Sequence, residues 1–99
     1  MNKGTYDLKK VKILNKEQYA KMRIEETARI YKAFIGREIP KERYDSTKAY
    51  YASIYDKIMK NDYDIGYEIP YKVKVKHIVY YDNYFAFIDS KDRLYFIHD

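Results

Sequence analysis

From Lys16 onward the apolar residues recur every three or four positions. At 100° per residue, Tyr19, Ala20, Ile24, Ala28, Ile30, Tyr31, Phe34 and Ile35 share one half of a helix. Lys21, Glu25, Arg29 and Lys32 share the other. Asn15 fits the N-cap with Gln18 three residues on, and Gly36 supplies a stop, so the pattern predicts a helix over residues 15–36. Arg23 falls on the apolar edge, where its stem is expected to lie along the core with its head in water. A second helical pattern covers residues 40–61. Its apolar arc holds Tyr44, Tyr50, Tyr51, Ile54, Tyr55, Ile58 and Met59, with Ser53, Asp56, Lys57 and Lys60 opposite. Pro40 suits the first turn, although Asp45 or Ser46 could also cap it.

After Pro70 the period changes to two. Tyr71, Val73, Val75 and His77 alternate with Lys72, Lys74 and Lys76, which is the pattern of a half-buried strand. Asp82-Asn83 predicts a two-residue hairpin turn, and residues 89–92 a second turn before a last strand from Arg93 to His98. Residues 62–70, DYDIGYEIP, read as a surface linker, and residues 5–14 as a short strand or an ordered arm. The predicted fold is α+β: two antiparallel amphipathic helices, then a three-stranded antiparallel meander over 71–98. Residues 1–14 form an arm or edge strand. A chain of 99 residues is long enough for one such domain and too short for two.

If Tyr81 pairs with Tyr84, strict alternation sorts the sheet into two faces. One carries Tyr71, Val73, Val75, His77, Val79, Tyr81, Tyr84, Ala86 and Ile88 and is expected to lie against the helices. The other carries Lys72, Lys74, Lys76, Ile78, Tyr80, Phe85 and Phe87: a lysine stripe leading to an aromatic patch. Either the N-terminal segment or a helix covers that patch, or it is an interface. In the second case Lys72, Lys74, Lys76, Tyr80, Phe85 and Phe87 are the candidate contacts, for a protein partner or for nucleic acid whose bases would stack on the rings. The 14 tyrosines add Tyr50 and Tyr63 as candidate partner contacts, since tyrosine gives a rigid amphipathic surface.

Composition narrows the class. With 46% hydrophobic and 18% aromatic residues, the chain has the material for a core, which argues against disorder. The absence of cysteine removes disulfides, thiolate chemistry and cysteine-based metal sites. Met1–Lys12 is charged and has no apolar h-region, so no signal peptide is expected. No run approaches a membrane span, and a cytoplasmic protein is the default expectation. The net charge of +5 suits either attraction to a polyanion or simple solubility. The excess lies in the first two thirds: residues 63–99 have five basic residues against six acidic ones. Abundant Lys, Ile and Tyr with only 3 Gly and 2 Pro suits an AT-rich genome, and short chains of this kind are frequent on phages and mobile elements.

Chemical motifs are sparse. His77 and His98 have no metal-ligand spacing, the three glycines are isolated, and no nucleophile elbow surrounds a serine. No catalytic residue, metal or cofactor is expected on these grounds. The order of possible strand, two helices and meander resembles that of the RelE/ParE toxins, and the stretch YFAFIDSKDRLYFIHD is similar in rhythm to that group's closing hairpin. The resemblance would imply a ribonuclease using His98, Arg93 and Tyr95. The group's closing Gly-His-Arg pattern is here Ile97-His98-Asp99, and both helices are longer than is usual there. The leading expectation is a non-enzymatic binding protein that occupies a host protein, such as one of a nucleic-acid-handling complex, as an anti-CRISPR-like inhibitor does. Direct nucleic-acid binding and the toxin follow as alternatives. An open sheet edge and an apolar second face also make a homodimer reasonable.

Overall fold

The computed structural model describes residues 6–60 and 73–97. A short 3-10 turn at Leu8–Lys10 leads into strand β1 (Val11–Leu14). Helices α1 (Lys16–Ile35) and α2 (Lys41–Met59) follow, then strands β2 (Val75–Tyr81), β3 (Tyr84–Asp89) and β4 (Leu94–Phe96). The four strands form one antiparallel sheet in the order β1-β2-β3-β4. The α+β architecture is as the sequence predicts. Of the strand and the ordered arm, residues 11–14 are the edge strand, with Leu14 opposite Ile78 and Val11 opposite Tyr81.

The local signals act where their chemistry requires. The Asn15 side chain accepts from the Gln18 N–H at 2.8 Å, while the Gln18 side chain accepts from the Asn15 N–H at 2.9 Å. This reciprocal box satisfies two donors that the first helical turn leaves open. Gly36 ends α1 with φ +85°, and its N–H donates to the Lys32 carbonyl. A Cβ at Gly36 would meet nothing within 4 Å. Gly36→Ala should therefore cost about 1 kcal/mol from backbone strain alone, measurable by urea denaturation; an unchanged midpoint would mean that α1 ends without its left-handed residue. Asp82 and Asn83 adopt φ values of +48° and +71°, the two left-handed positions of a tight hairpin.

The assignment of sheet faces needs correction. Val75 pairs with Asp89, but His77 pairs with Ile88, so β2 spends one extra residue at this point. Such a bulge reverses the in–out sense of everything beyond it. Val73 and Val75 consequently join Ile78, Tyr80, Phe85 and Phe87, and it is this face that the helices cover. Leu14, Tyr19, Ile54, Ile58 and Tyr95 complete that core. The expected continuous face from Tyr71 to Ile88 is broken at the bulge. Its latter half, Val79, Ala86 and Ile88, forms a second cluster with Leu94 on the side away from the helices, with Tyr6, Val11, Tyr81 and Phe96 packed around it. The Asp7 N–H donates to the Tyr81 hydroxyl at 3.0 Å, and Tyr6 meets the Tyr81 ring edge-on. The N-terminal segment is thus fastened over the face opposite the one expected.

Candidate protein-binding surface

Only part of each helix lies on the sheet. The buried residues of α1 are Tyr19, Ala20, Arg23 and Ile24, all in its first half. Those of α2 are Ile54 and Ile58, near its end. Twenty residues of α-helix extend about 30 Å, more than a small sheet can cover. The last turns of α1, the connection through Gly36 and Pro40, and the first turns of α2 form the far end of an antiparallel hairpin.

One stripe on α1 records where cover stops. Tyr19, Arg23, Thr27, Ile30 and Phe34 succeed one another by three or four residues and so lie along one side of the helix. Tyr19 is fully buried and Arg23 is 3% exposed, whereas Ile30 is 53% and Phe34 84% exposed. Ile35, next along the chain, is also half exposed. The same stripe that makes the core therefore emerges as an apolar surface at the hairpin's end. Tyr31, Ile39 and Tyr44 are half-buried there, and the Arg43 guanidinium sits 5.9 Å from the Tyr31 ring centre. Sequence periodicity identifies Ile30, Phe34 and Ile35 as apolar-face residues but carries no information about where the sheet ends.

Arg23 marks the last covered turn. Its expected snorkelling is replaced by burial: its guanidinium lies 4.7 Å from the Tyr51 ring centre and 4.9 Å from that of Phe85, with Tyr19 slightly farther. Aromatic faces attract a cation electrostatically, and more strongly where water is excluded. The Tyr51 hydroxyl is in turn hydrogen-bonded to Thr27 at 3.1 Å. Arg23 thereby ties α1, α2 and β3 together beneath the projecting end.

The residues singled out from sequence are dispersed. Lys74 and Lys76 are exposed, but Lys76 is paired with Asp92 at 3.1 Å. Phe87 is 2% exposed and belongs to the core, with Tyr80 and Phe85 packed against it. The bulge and the two helices are why these three rings do not form an open patch. Tyr50 is exposed on α2, its ring against Tyr51. Tyr63, Lys72 and His98 lie outside the described residues, as do the whole of the expected 62–70 linker and Tyr71. His77 is half-buried at the bulge rather than in the core.

Arg93 and Tyr95 are joined through Asp89. This carboxylate is 1% exposed and accepts four hydrogen bonds: from the N–H groups of Lys91 and Arg93, from Arg93 Nε at 2.8 Å and from the Tyr95 hydroxyl at 3.3 Å. Burial pushes its pKa up, but the Arg93 backbone and guanidinium bonds, the Lys91 N–H and the Arg93 charge outweigh that and hold it below the ordinary carboxylate value. The arrangement closes the β3–β4 turn, in which Asp92 takes φ +61°.

Two surface depressions carry little chemistry. One of about 430 Å³ is bounded by Tyr6, Leu8, Lys91 and Asp92. The other, about 320 Å³, runs between the helices over Ala20, Ala49 and Ala52, with Glu17 and Lys48 at its edge, paired to each other at 2.7 Å. Among the described residues no group of three His, Asp or Glu side chains could hold a metal ion, and no helix is long and apolar enough to cross a membrane. No protein-family model, curated protein or solved structure matches the chain.

Proposed function

We propose that this chain is a binding protein rather than an enzyme, and that it acts by occupying a protein partner through the far end of the α1–α2 hairpin. The observation that carries this reading is the emergence of the core stripe as exposed Ile30, Phe34 and Ile35. Large apolar side chains grouped beyond the cover of the fold mark partner sites more often than chance exposure does. A hairpin anchored at one end by Arg23 and the core presents them on a rigid support, which limits the ordering cost of association. Composition and charge favour a small inhibitor of phage or mobile-element type, of which an anti-defence inhibitor of a host complex is the most concrete form.

The toxin reading has less support, because Arg93 and Tyr95 are both spent on Asp89. The nucleic-acid reading on the sheet retains Lys74 and Lys76, but its stacking rings lie under the helices.

A photo-cross-linking residue at position 34, in cells expressing the chain, should capture one protein species; the same group at exposed Lys21 should not. Phe34→Asp should change folding stability by less than about 0.5 kcal/mol while weakening binding to that species by about 2 kcal/mol or more. Equal capture from positions 21 and 34 would show that the hairpin end is not the contact surface.

A further inference from the structure

The charge around the hairpin end specifies its partner further, on the reading that this end is the contact surface. Between Arg29 and Lys48 there are six basic residues and three acidic ones. Lys32 is paired with Glu38 at 2.7 Å, Lys41 with Asp45 at 2.8 Å and Lys48 with Glu17 at 2.7 Å. Arg29, Arg37 and Arg43 form no ion pair with any described residue, and Glu42 is the one carboxylate there in the same position. The stretch thus holds three guanidiniums outside any such ion pair: Arg29 on the polar half of α1, Arg37 exposed in the connection, and Arg43 against the Tyr31 ring.

We infer that the end of the hairpin docks onto an acidic protein surface with an apolar centre, such as the exposed flank of an acidic amphipathic helix. Arginine forks match carboxylates in two-point contacts, and arginine with aromatic side chains is enriched where proteins meet. The apolar centre supplies the burial, and the guanidiniums select the sign of the partner and its orientation.

Chemistry also separates this occupant from two of the others. A second copy brought end to end would face three guanidiniums with three more. Nucleic acid would satisfy the arginines but leave Ile30 and Ile35 against a polar backbone. An anionic bilayer would accept Phe34 and the arginines as well, so binding to phosphatidylserine vesicles is the measurement that separates it from an acidic protein.

A library of random peptides displayed on yeast, selected on the full chain and counter-selected on its Phe34→Asp variant, tests this. The enriched peptides should combine Asp or Glu with Leu or Phe and bind more weakly as salt rises. Arg29→Glu/Arg37→Glu/Arg43→Glu should reduce their affinity by roughly tenfold or more. Arg37→Glu alone, in the connection between helices, should cost a part of that without touching either helix. Enrichment of neutral or basic peptides, or affinity indifferent to the arginine changes, would overturn the acidic partner and leave hairpin docking standing. No enrichment over the counter-selection, together with no capture from position 34, would remove both. Phe34-dependent binding to phosphatidylserine vesicles or to duplex DNA would reassign the surface to a membrane or a nucleic acid. Phe34-dependent self-association in light scattering would reassign it to a second copy.

Discussion

Asp89→Ala should destabilise the protein by about 2–4 kcal/mol, one of the two largest losses expected from any single truncation. The carboxylate is buried, and its removal strands the N–H groups of Lys91 and Arg93, the Arg93 guanidinium and the Tyr95 hydroxyl at once. Arg93 is partly exposed and can turn to water, which keeps the cost below that of a fully buried broken pair. Asp92, held at positive φ, loses the turn that justifies its conformation. Asp89→Asn keeps an acceptor for the two backbone donors and should lose only about half as much. A second signature is the response to acid. Because the folded state holds this carboxyl below its ordinary pKa, its contribution is complete above the unfolded-state value and disappears as pH falls through the folded one. Urea midpoints followed from about pH 6 to about pH 2 should therefore fall less steeply in Asp89→Asn than in the parent. A loss under about 1 kcal/mol for Asp89→Ala would refute the assignment of this residue as the organiser of the turn.

What the sequence made legible divides by the range of the interaction. The capping box at Asn15, the left-handed stop at Gly36, the helix start beside Pro40 and the turn at Asp82-Asn83 are settled by chemistry within a few residues. All were readable. The bulge after Val75 was not, because no glycine or proline marks it and the alternation of lysine with apolar residues runs smoothly into it. One residue of slippage decided between the two readings of Phe87, covered by a helix or open as an interface, and put it in the core. Arg23 illustrates the same limit: its burial depends on Tyr51 and Phe85, which lie on other elements. The hairpin end was half legible. Periodicity assigned Ile30, Phe34 and Ile35 to the apolar side, but only the extent of the sheet decides that they are left uncovered.

That division bears on function, because it exchanges one candidate surface for another. The lysine–aromatic sheet face would have been a flat platform suited to bases. The hairpin end carries exposed Ile30, Phe34 and Ile35, with three guanidiniums in the same stretch. Such a surface suits a partner whose apolar side chains are flanked by carboxylates, and it places specificity in charge rather than in stacking.

Phe87→Ala should cost about 3–5 kcal/mol, the range for emptying a well-packed aromatic site. Its ring stacks on Tyr95 with centroids 5.0 Å apart and stands opposite Ile78 on the neighbouring strand. Leu14, Tyr19, Ile54 and Ile58 share its cluster, so the cavity would open among three strands and two helices that cannot all move inward. Tyr84→Ala is the matched control: that ring is 63% exposed, touches Phe96 edge-on and should cost less than about 1 kcal/mol. Urea or thermal unfolding of the pair separates core from contact. If Phe87 were instead a partner contact on an open patch, its truncation would leave the midpoint in place and weaken binding. With Phe87 in the core, the reverse holds: the midpoint drops, while any molecules still folded retain Ile30, Phe34 and Ile35 and bind as before.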